Sequence, residues 1–537
     1  MFASAPPRRS SVAWLEPGRG RRRRRTDVPW RGILVVLGIL VVAGAAAYYF
    51  ISRDRAANRR RDAAQSFTQA WAKGDERAMW QTLDAKTQRD YPWAKFRRLY
   101  RNADHAATVR SVRVGTLSGP SDGSFTVPVA VVTHDFGTLR GAIKLPVHDE
   151  DHGAKVAWLP HLRLPGLRQG EQVSRKVLQA PLPANVFGAD GRLLDANPST
   201  AAIAAGLGRM FKDRLQGTPG AQLRYGDRVV ASVKRQRGRS VHATIRPGLQ
   251  RAAAAALGSK LGGVAVVRPR DGSVLALAGL AVSAPQPPGS TFKIITASAA
   301  LQAGVATPST SYPVRSAATL SGVTLRNAGG ESCGGTLTQA FIDSCNSVFA
   351  PLGAKVGATK LVRMAEKFGF NERPRVPDAK PSTISQPKDL KDSLAVGSAA
   401  IGQDRDLATP LQMAIAGATI AEQGRRARPR IVTNDKVLRR RVVSTRVASQ
   451  VREMMIGVVR SGTGTAAAIP GVTVAGKTGT AELRPNSTNP KDADAWFVAF
   501  APAQNPKIAV GVMLVGAGFG GTAAAPIAKR VLQAALG

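Results

Sequence analysis

The stretch Pro287-Pro-Gly-Ser-Thr-Phe-Lys293 places a serine three residues before a lysine, at the start of an alanine-rich run that ends at Ala300. The run predicts a helix opened by Ser290, with Lys293 one turn later on the same face. Because a helix start favours developing negative charge, Ser290 is a candidate nucleophile and Lys293 its candidate base. Taken alone, the pattern also fits an N-capping serine next to a solvated lysine.

A second short motif, Ser344-Cys-Asn346, lies between the first motif and a third one at Lys477-Thr-Gly479. The ordered set S-x-x-K, S-x-N and K-T-G is typical of serine acyl-transfer sites that work without histidine. We expect Ser344 to relay a proton toward a leaving amine and Asn346 to bind a substrate amide.

The third motif is predicted to follow an apolar strand over Val472–Ala475. Gly479 would let a substrate lie close against the edge of that strand, because it has no side chain. Lys477 and Thr478 are expected to bind an anionic carboxylate.

No histidine follows His242, the last of six in the chain. The C-terminal region therefore cannot supply a Ser-His-Asp triad or a histidine-bearing zinc site, and we expect no metal. A lysine base must lose its proton near neutral pH, although its ordinary pKa is about 10.4. Burial and a second cation, Lys477, would disfavour the charged form of Lys293 and lower its pKa.

The chain has 537 residues, a formal net charge of +41 and 44% hydrophobic residues, which allows two or three domains with their own cores. Nine arginines against Glu16 and Asp27 give residues 1–31 a charge of +7, and the rest is spread along the chain. No zinc-finger spacing or aromatic RNA-binding signature accompanies this charge, so we expect no nucleic-acid partner. An Arg- and Ala-rich composition explains the charge, and attraction to anionic lipids and polymers is the alternative.

Gly32 to Ile51 is an apolar run of 20 residues, long enough to cross a bilayer as a helix. The arginine run Arg21–Arg25 precedes it. The positive-inside rule then predicts a basic cytoplasmic tail at 1–31, a membrane anchor at 32–52 and export of the remaining chain. A signal peptide cleaved at an Ala-x-Ala site near Ala45 is the alternative.

The only two cysteines, Cys333 and Cys345, lie in the part predicted to be exported, where an oxidising compartment permits a disulfide. Closing so short a loop would stabilise the fold by about 3 kcal/mol. Cys345 is the middle residue of the second motif, so the bridge would brace the candidate site. Two buried free thiols are the alternative.

Residues 54–165 are predicted to form a small α+β unit of two helices followed by strands. Residues 54–72 carry an apolar helical face, and Gly74-Asp75 breaks the pattern before a second helix through Met79 and Leu83. Alternating apolar residues then predict strands over Val109–Val114, Phe125–Val132 and Leu139–Leu145.

Residues 168–245 are predicted to be a linker or pedestal region, with a turn at Gly188–Gly191 and a helix from Pro198 to Leu215. From residue 246 onward the pattern predicts an α/β domain in which an antiparallel sheet carries a helical insertion. Its helices are predicted over Pro247–Leu257 and Ala523–Ala535, and its strands over Gly262–Val267, Ser273–Ala278, Val472–Ala475, Ala495–Phe500 and Lys507–Leu514.

Residues 246–537 resemble the transpeptidase domain of penicillin-binding proteins. The resemblance rests on the three motifs and on the phrases Ile401-Gly-Gln403, Thr409-Pro-Leu-Gln-Met413 and Gly476–Glu482. It implies a serine β-lactamase-like α/β fold, with an antiparallel sheet and a helical subdomain. The anchor and the unit at 54–165 resemble class B members with an NTF2-like N-terminal domain, in which the region that follows is a dimerisation-like pedestal.

The resemblance implies a peptidoglycan D,D-transpeptidase that needs no cofactor. Lys293 would deprotonate Ser290, which would attack the D-Ala-D-Ala bond of a stem peptide, with the backbone N–H groups of Ser290 and Thr480 as the oxyanion hole. Thr478 and Thr480 would hold the terminal carboxylate. The acyl-serine would then pass to an amine of a neighbouring strand, and β-lactams would trap Ser290 because they mimic D-Ala-D-Ala.

A separate glycan polymerase is implied as a partner, because no glycosyltransferase segment precedes the domain. The predicted anchor makes the chain a single-pass protein of the cell membrane, with its catalytic domain outside the cytoplasm.

Three other functions share parts of this pattern. A class A β-lactamase would carry E-x-x-L-N between the second and third motifs, and no glutamate in that interval begins it. These glutamates are Glu366, Glu372, Glu422 and Glu453. A D,D-carboxypeptidase would differ only in its acceptor, which is water. A catalytically weak scaffold for wall synthesis would keep the motifs with little turnover.

Overall fold

The computed structural model describes residues 30–403, 405–484 and 489–537. The chain forms two compact units. The first comprises the residues through Leu178 together with Gly220–Lys234, and the second comprises Gln179–Pro219 and Arg235–Gly537.

The region at 168–245 is divided between the two units. Its strands Val173–Val177, Ala221–Tyr225 and Arg228–Val233 form a three-stranded antiparallel sheet in the first unit. Its helix Pro198–Met210 belongs to the second unit. A short helix, Lys212–Leu215, follows after one intervening residue.

A single long helix, Trp30–Lys73, begins the first unit. The predicted anchor at 32–52 and the predicted helix at 54–72 are parts of it, because no glycine or proline lies between them to break the hydrogen-bonding pattern. The helix is long and apolar enough, by length and composition, to cross a membrane, and apolar side chains such as Leu40 and Phe50 are each 62% exposed. The basic tail at 1–31 lies outside the described residues except for residues 30 and 31.

The remainder of the first unit is a set of short helices against an antiparallel sheet. The helices are Glu76–Gln81, Ala85–Asp90 and Trp93–Ala107. The sheet strands are Val109–Val114, Ser118–Ser121, Ser124–Thr133, Thr138–Glu150 and Gly153–Val156. The three strands predicted in this region are thereby confirmed. The identification of the unit as NTF2-like stays a prediction.

The second unit is built around a five-stranded antiparallel sheet. In spatial order its strands are Val274–Gly279, Gly262–Val267, Ile508–Leu514, Ala493–Ala501 and Ala475–Glu482. The strand that carries the third motif is therefore at one edge of the sheet. The α/β class and the antiparallel sheet agree with the prediction.

Both faces of the sheet are buried, which explains why its strands are apolar throughout rather than alternating. On one face, Phe497 and Val512 pack with Leu249 of helix Pro247–Leu257 and Val531 of helix Ala525–Leu536. On the other face, the neighbouring residue Trp496 belongs to the larger core, which includes the helix Pro410–Ala421.

Most of the helical part of the second unit lies between the second and third sheet strands in chain order, Val274–Gly279 and Ala475–Glu482. Its helices are Lys293–Gln302, Leu337–Ile342, Asn346–Val356, Ala358–Phe368, Ser393–Ala400, Pro410–Ala421 and Thr445–Ser461, and a short helix Gly520–Ala523 precedes the last one. Its short antiparallel pairs are Ser311–Arg315 with Cys333–Thr336, Ala317–Leu320 with Val323–Arg326, and Arg425–Ala427 with Arg439–Arg441.

Two local predictions near the motifs were wrong in their boundaries. The K-T-G motif lies inside the edge strand Ala475–Glu482 rather than after a strand at 472–475, because each of its residues pairs with the neighbouring strand. Ser290 lies in a single 3₁₀ turn, Gly289–Phe292, and the α-helix begins only at Lys293.

Candidate active site

The amine of Lys293 lies at the centre of the three motifs. Its Nζ is 2.9 Å from Ser290 Oγ, 2.5 Å from the carbonyl oxygen of Ser344 and 2.7 Å from Asn346 Oδ1. The side chain is fully buried. Burial, with the positive charge of Lys477 as a second cause, holds the pKa of this amine well below its ordinary value. The site therefore favours the neutral form of the Lys293 amine.

The 3₁₀ turn and the helix that follows it bring Ser290 and Lys293 together. Residues three apart in such a turn lie on one face, so the lysine side chain reaches back to the serine hydroxyl. The turn is held by the amide of Gly289, which donates to the carbonyl of Gly402 at 2.9 Å. Gly402 has φ +71°, and a Cβ there would lie 2.3 Å from the Gly289 carbonyl oxygen. The phrase Ile401-Gly-Gln403 therefore supports the serine turn directly.

The Ser344 hydroxyl lies between two amines. It is 2.8 Å from Lys477 Nζ and 3.4 Å from Lys293 Nζ. Ser344 adopts a left-handed backbone conformation with φ 66°, which is uncommon for a residue other than glycine. This conformation turns both its hydroxyl and its carbonyl oxygen toward the lysines.

Lys477 is also fully buried, although it lies on the edge strand. Burial lowers the pKa of its amine to about 7, against the attraction of Asp343, which acts in the opposite direction. The ring of Phe341 lies 5.5 Å from this amine, and the ring of Phe349 lies 5.6 Å from that of Lys293. The two lysines therefore share a dry, partly aromatic environment.

Asn346 holds the lysine rather than only facing a substrate. Its Oδ1 accepts from Lys293, and its Nδ2 donates to the carbonyl of Arg326 at 2.9 Å. One amide N–H remains for the substrate contact that the sequence predicts. Cys333 and Cys345 form a disulfide whose Cα atoms are 5.8 Å apart, so the residue between Ser344 and Asn346 is covalently tied to the strand Cys333–Thr336.

An open cleft of about 400 Å³ lies along the hydroxyl side of this cluster. The hydroxyl-bearing residues Ser290, Ser344, Thr478 and Thr480 line it. Lys293 and Lys477 are fully buried behind that wall. That Lys477 and Thr478 bind a carboxylate stays a prediction.

The comparisons with known proteins agree with this geometry. Residues 262–533 match the model of the penicillin binding protein transpeptidase domain. The chain belongs to this family. Peptidoglycan D,D-transpeptidase PbpA of Mycobacterium tuberculosis H37Rv is 40% identical over 291 residues, which cover 50% of this chain and 58% of PbpA. The chain thus spans less than two thirds of the length of such relatives.

Two further similarities extend beyond the motifs. Peptidoglycan D,D-transpeptidase MrdA of Acinetobacter baumannii is 27% identical over 477 residues, covering 74% of this chain and 70% of MrdA. The penicillin G acyl-enzyme complex of penicillin-binding protein A from M. tuberculosis superposes with a TM-score of 0.56 and 30% identity, covering 67% of this chain and all of that chain.

Several residues of the transpeptidase cleft were missed by sequence analysis. Thr463 Oγ1 lies 2.6 Å from Thr478 Oγ1 and lines the cleft. The small polar run Ser461-Gly-Thr-Gly-Thr465, just before the third motif, was the available signal. Asn327 accepts the amide of Ser347 at 2.7 Å and so fixes the start of the helix that carries Asn346. No local pattern distinguishes it from other loop asparagines.

Gly479 has a packing role that the sequence did not indicate, and its role in substrate approach stays a prediction. A Cβ at this position would lie 2.9 Å from the Pro288 carbonyl oxygen, from Thr291 Cγ2 and from Trp496 Cβ. Pro288 and Thr291 flank Ser290. The absent side chain therefore lets the edge strand press against the serine turn.

We expect Gly479→Ala to slow the acylation of Ser290 by a β-lactam about tenfold, because overpacking costs about 1–3 kcal/mol and must displace the serine turn. The measurement is the acylation rate with a fluorescent penicillin. Gly208→Ala is the matched control, because a Cβ there meets nothing within 4 Å and Gly208 lies in the helix Pro198–Met210. Equal acylation rates in the Gly479 variant and the wild type would contradict this packing role.

Proposed function

We propose that the chain is a class B peptidoglycan D,D-transpeptidase that works through an acyl-serine at Ser290 and is inhibited by β-lactams. The observation that carries the proposal is the buried Lys293 amine, 2.9 Å from Ser290 Oγ and depressed in pKa. The similarity to peptidoglycan D,D-transpeptidases supports the substrate class.

The hydrogen bonds of the Lys293 amine support proton transfer from Ser290 to Lys293. A neutral amine has two N–H donors and one lone pair. The Ser344 carbonyl and Asn346 Oδ1 are acceptors only at the atoms involved, so they take the two N–H groups. The lone pair is then left for the Ser290 hydroxyl proton. Lys293 thus acts as the general base that generates the nucleophilic alkoxide.

The attack on a D-Ala-D-Ala carbonyl would develop negative charge on its oxygen. The backbone N–H groups of Ser290 and Thr480 are the proposed oxyanion hole. Thr478 and Thr480 line the cleft and are proposed to hold the terminal carboxylate, with Thr463 fixing the Thr478 hydroxyl. The positive charge of Lys477 would assist from behind this wall.

Ser344 is the proposed relay for departure of the leaving D-alanine. Its hydroxyl contacts Lys477 at 2.8 Å and lies 3.4 Å from Lys293, which holds the proton taken from Ser290. A proton can pass from the Lys293 ammonium through Ser344 to the leaving amine. Asn346 and the Cys333–Cys345 disulfide would keep the relay in place.

Transfer to an amine is favoured over hydrolysis by the acidic side of the cleft. Glu331 and Asp343 line it beside Ser344, and they would attract an acceptor that carries an ammonium group. Glu372, in the interval where a β-lactamase would place its deacylating glutamate, is engaged instead with Arg426 at 2.7 Å. D,D-carboxypeptidase activity is the second candidate, because water can reach the same open cleft.

The remaining organisation is proposed from the sequence. Residues 246–537 would be the catalytic domain, 54–165 an NTF2-like domain and 168–245 a pedestal. The apolar part of the long N-terminal helix would anchor the chain as a single-pass membrane protein, with a basic cytoplasmic tail at 1–31 and an extracytoplasmic active site. A separate glycan polymerase would supply the strands that this protein crosslinks.

We expect Ser290→Ala to abolish retained labelling of the full-length protein by fluorescent penicillin, because no other residue would form the acyl-enzyme. Lys293→Ala should slow labelling by about 10²–10⁴-fold, the range of general-base catalysis. Ser298→Ala, two turns further along the same helix, is the matched control and should label normally. Retained label in Ser290→Ala would contradict the proposed nucleophile.

The acceptor is tested with the same proteins and a peptidoglycan strand bearing D-Ala-D-Ala stem peptides. Crosslinked product that depends on Ser290 supports transpeptidation. Release of D-alanine without crosslinks, even with an added amine acceptor, would identify a carboxypeptidase. Neither product from protein that still binds penicillin would identify a weak scaffold.

The pH dependence of acylation gives a further prediction. The rate should rise with pH as the Lys293 amine loses its proton, with the rising limb well below the ordinary lysine pKa. Lys477→Gln removes the second cause of that depression. The pKa of Lys293 should then increase and the limb should move to higher pH, while burial still keeps it below the ordinary value. The measurement is the acylation rate constant as a function of pH for the wild type and the Lys477→Gln variant. If the rising limb of the variant stays in place or moves to lower pH, the charge of Lys477 does not lower the pKa of Lys293.

A further inference from the structure

A second cavity, of about 200 Å³, lies in the second unit between the segment that follows helix Ala358–Phe368 and the strand pair Arg425–Ala427 with Arg439–Arg441. We call it the arginine pocket. Its cationic side chains are Arg373, Arg375, Arg426, Arg428, Arg430 and Lys436. Its carboxylates are Glu372 and Asp435 only. Six cations against two carboxylates leave a strongly positive lining.

Arg426 is the most informative of these residues. Its side chain is 3% exposed, and Nη2 donates to Glu372 at 2.7 Å. Its Nε and Nη1 atoms are buried and have no hydrogen-bond partner among the described residues. Burial lowers the pKa of this guanidinium, and the attraction of Glu372 does not restore it. A buried cation with unused donors is costly unless something else satisfies it.

Glu372 cannot neutralise the positive charge of the arginine pocket, because its carboxylate is shared by more than one arginine. It also accepts from Arg428 at 2.5 Å and lies 3.9 Å from Arg440. Arg373, Arg375 and Lys436 are exposed at the pocket and form no ion pair with any residue that the structure describes. Glu372 and Asp435 together therefore leave a positive excess in the lining.

The backbone around Arg426 accommodates the buried cation. Gly369 has φ +113°, and a Cβ there would lie 2.7 Å from Arg426 Cζ. Arg430, which also lines the pocket, is likewise a partly satisfied cation. Its Nη2 donates to Asp271 and its Nη1 to the Thr433 carbonyl, each at 2.8 Å, while its Nε is buried without a partner in the described part of the chain. Arg426 and Arg430 are thus held in place, and each keeps at least one N–H donor that has no partner among the described residues.

We propose that the arginine pocket binds a phosphate group, carried by a phosphomonoester or a phosphodiester. Guanidinium groups match the oxygen geometry of phosphate and bind it through paired N–H donors. The net positive lining favours an anion, and the small volume fits one phosphate group at a time. This site is separate from the transpeptidase cleft and shares no lining residue with it.

The test uses the full-length protein in an uncharged detergent, with glycerol 1-phosphate as the monoester probe and soluble poly(glycerol phosphate) as the diester probe. Binding is measured by calorimetry at constant ionic strength, with succinate as the carboxylate control. We expect the double variant Arg373→Gln with Arg375→Gln to weaken phosphate binding at least about tenfold, the value of one charge-assisted hydrogen bond. Stronger binding of the monoester would indicate a terminal phosphate, and stronger binding of the polymer a phosphodiester chain.

The matched control is Arg251→Gln with Arg446→Gln, which removes the same charge from two exposed arginines of the same unit that have no ion pair among the described residues. It should leave binding unchanged.

Glu372→Gln removes the competing carboxylate and should tighten phosphate binding. Retained penicillin labelling shows that each variant is folded. Three results would overturn the proposal. The two double variants could weaken phosphate binding equally, succinate could bind as tightly as phosphate, or the wild type could fail to bind phosphate.

Discussion

The buried amine of Lys293 is the group on which the rest of the site depends. An ammonium in this environment would have little water around it and a second amine nearby, so the neutral form is favoured. In that state the Ser344 carbonyl and Asn346 Oδ1 would take its two N–H groups, and its lone pair would face the Ser290 hydroxyl. A serine that lacks histidine needs such a partner to become a nucleophile.

Close backbone packing creates this environment. Gly402 and Gly479 each lie where a Cβ would collide with the turn that carries Ser290. Ser344 takes a left-handed conformation so that its carbonyl oxygen and hydroxyl both face the lysines. The sheet edge, the serine turn and the S-x-N loop therefore meet closely, and the resulting burial of Lys293 and Lys477 lowers the pKa of both amines.

Much of the fold could be predicted from the sequence because local signals were strong. Alternating apolar residues predicted the strand at 109–114, and a continuous apolar run predicted the strand at 262–267, both with their observed ends. Pro247 with the following apolar run predicted the helix Pro247–Leu257. The three motifs identified Ser290 and Lys293 as a pair. Their contact follows from the three-residue spacing alone.

Other features depend on tertiary contacts and could not be predicted. The third motif lies inside a strand because its partner strand Ala493–Ala501 pairs with every residue of it, and pairing across the chain has no local signature. The full burial of Lys477 on an edge strand also depends on tertiary packing. The packing role of Gly479 depends on Pro288 and Thr291, which are distant in the sequence.

The most direct test of this account is the protonation state of Lys293 in the folded protein. Heteronuclear NMR of protein labelled at its lysine side chains, with the resonance assigned by Lys293→Arg, reports the charge of Nζ across a pH titration. The account predicts a neutral amine at pH 7 that gains its proton only at lower pH. An amine that stays charged at pH 7 and titrates near the ordinary value of 10.5 would contradict it.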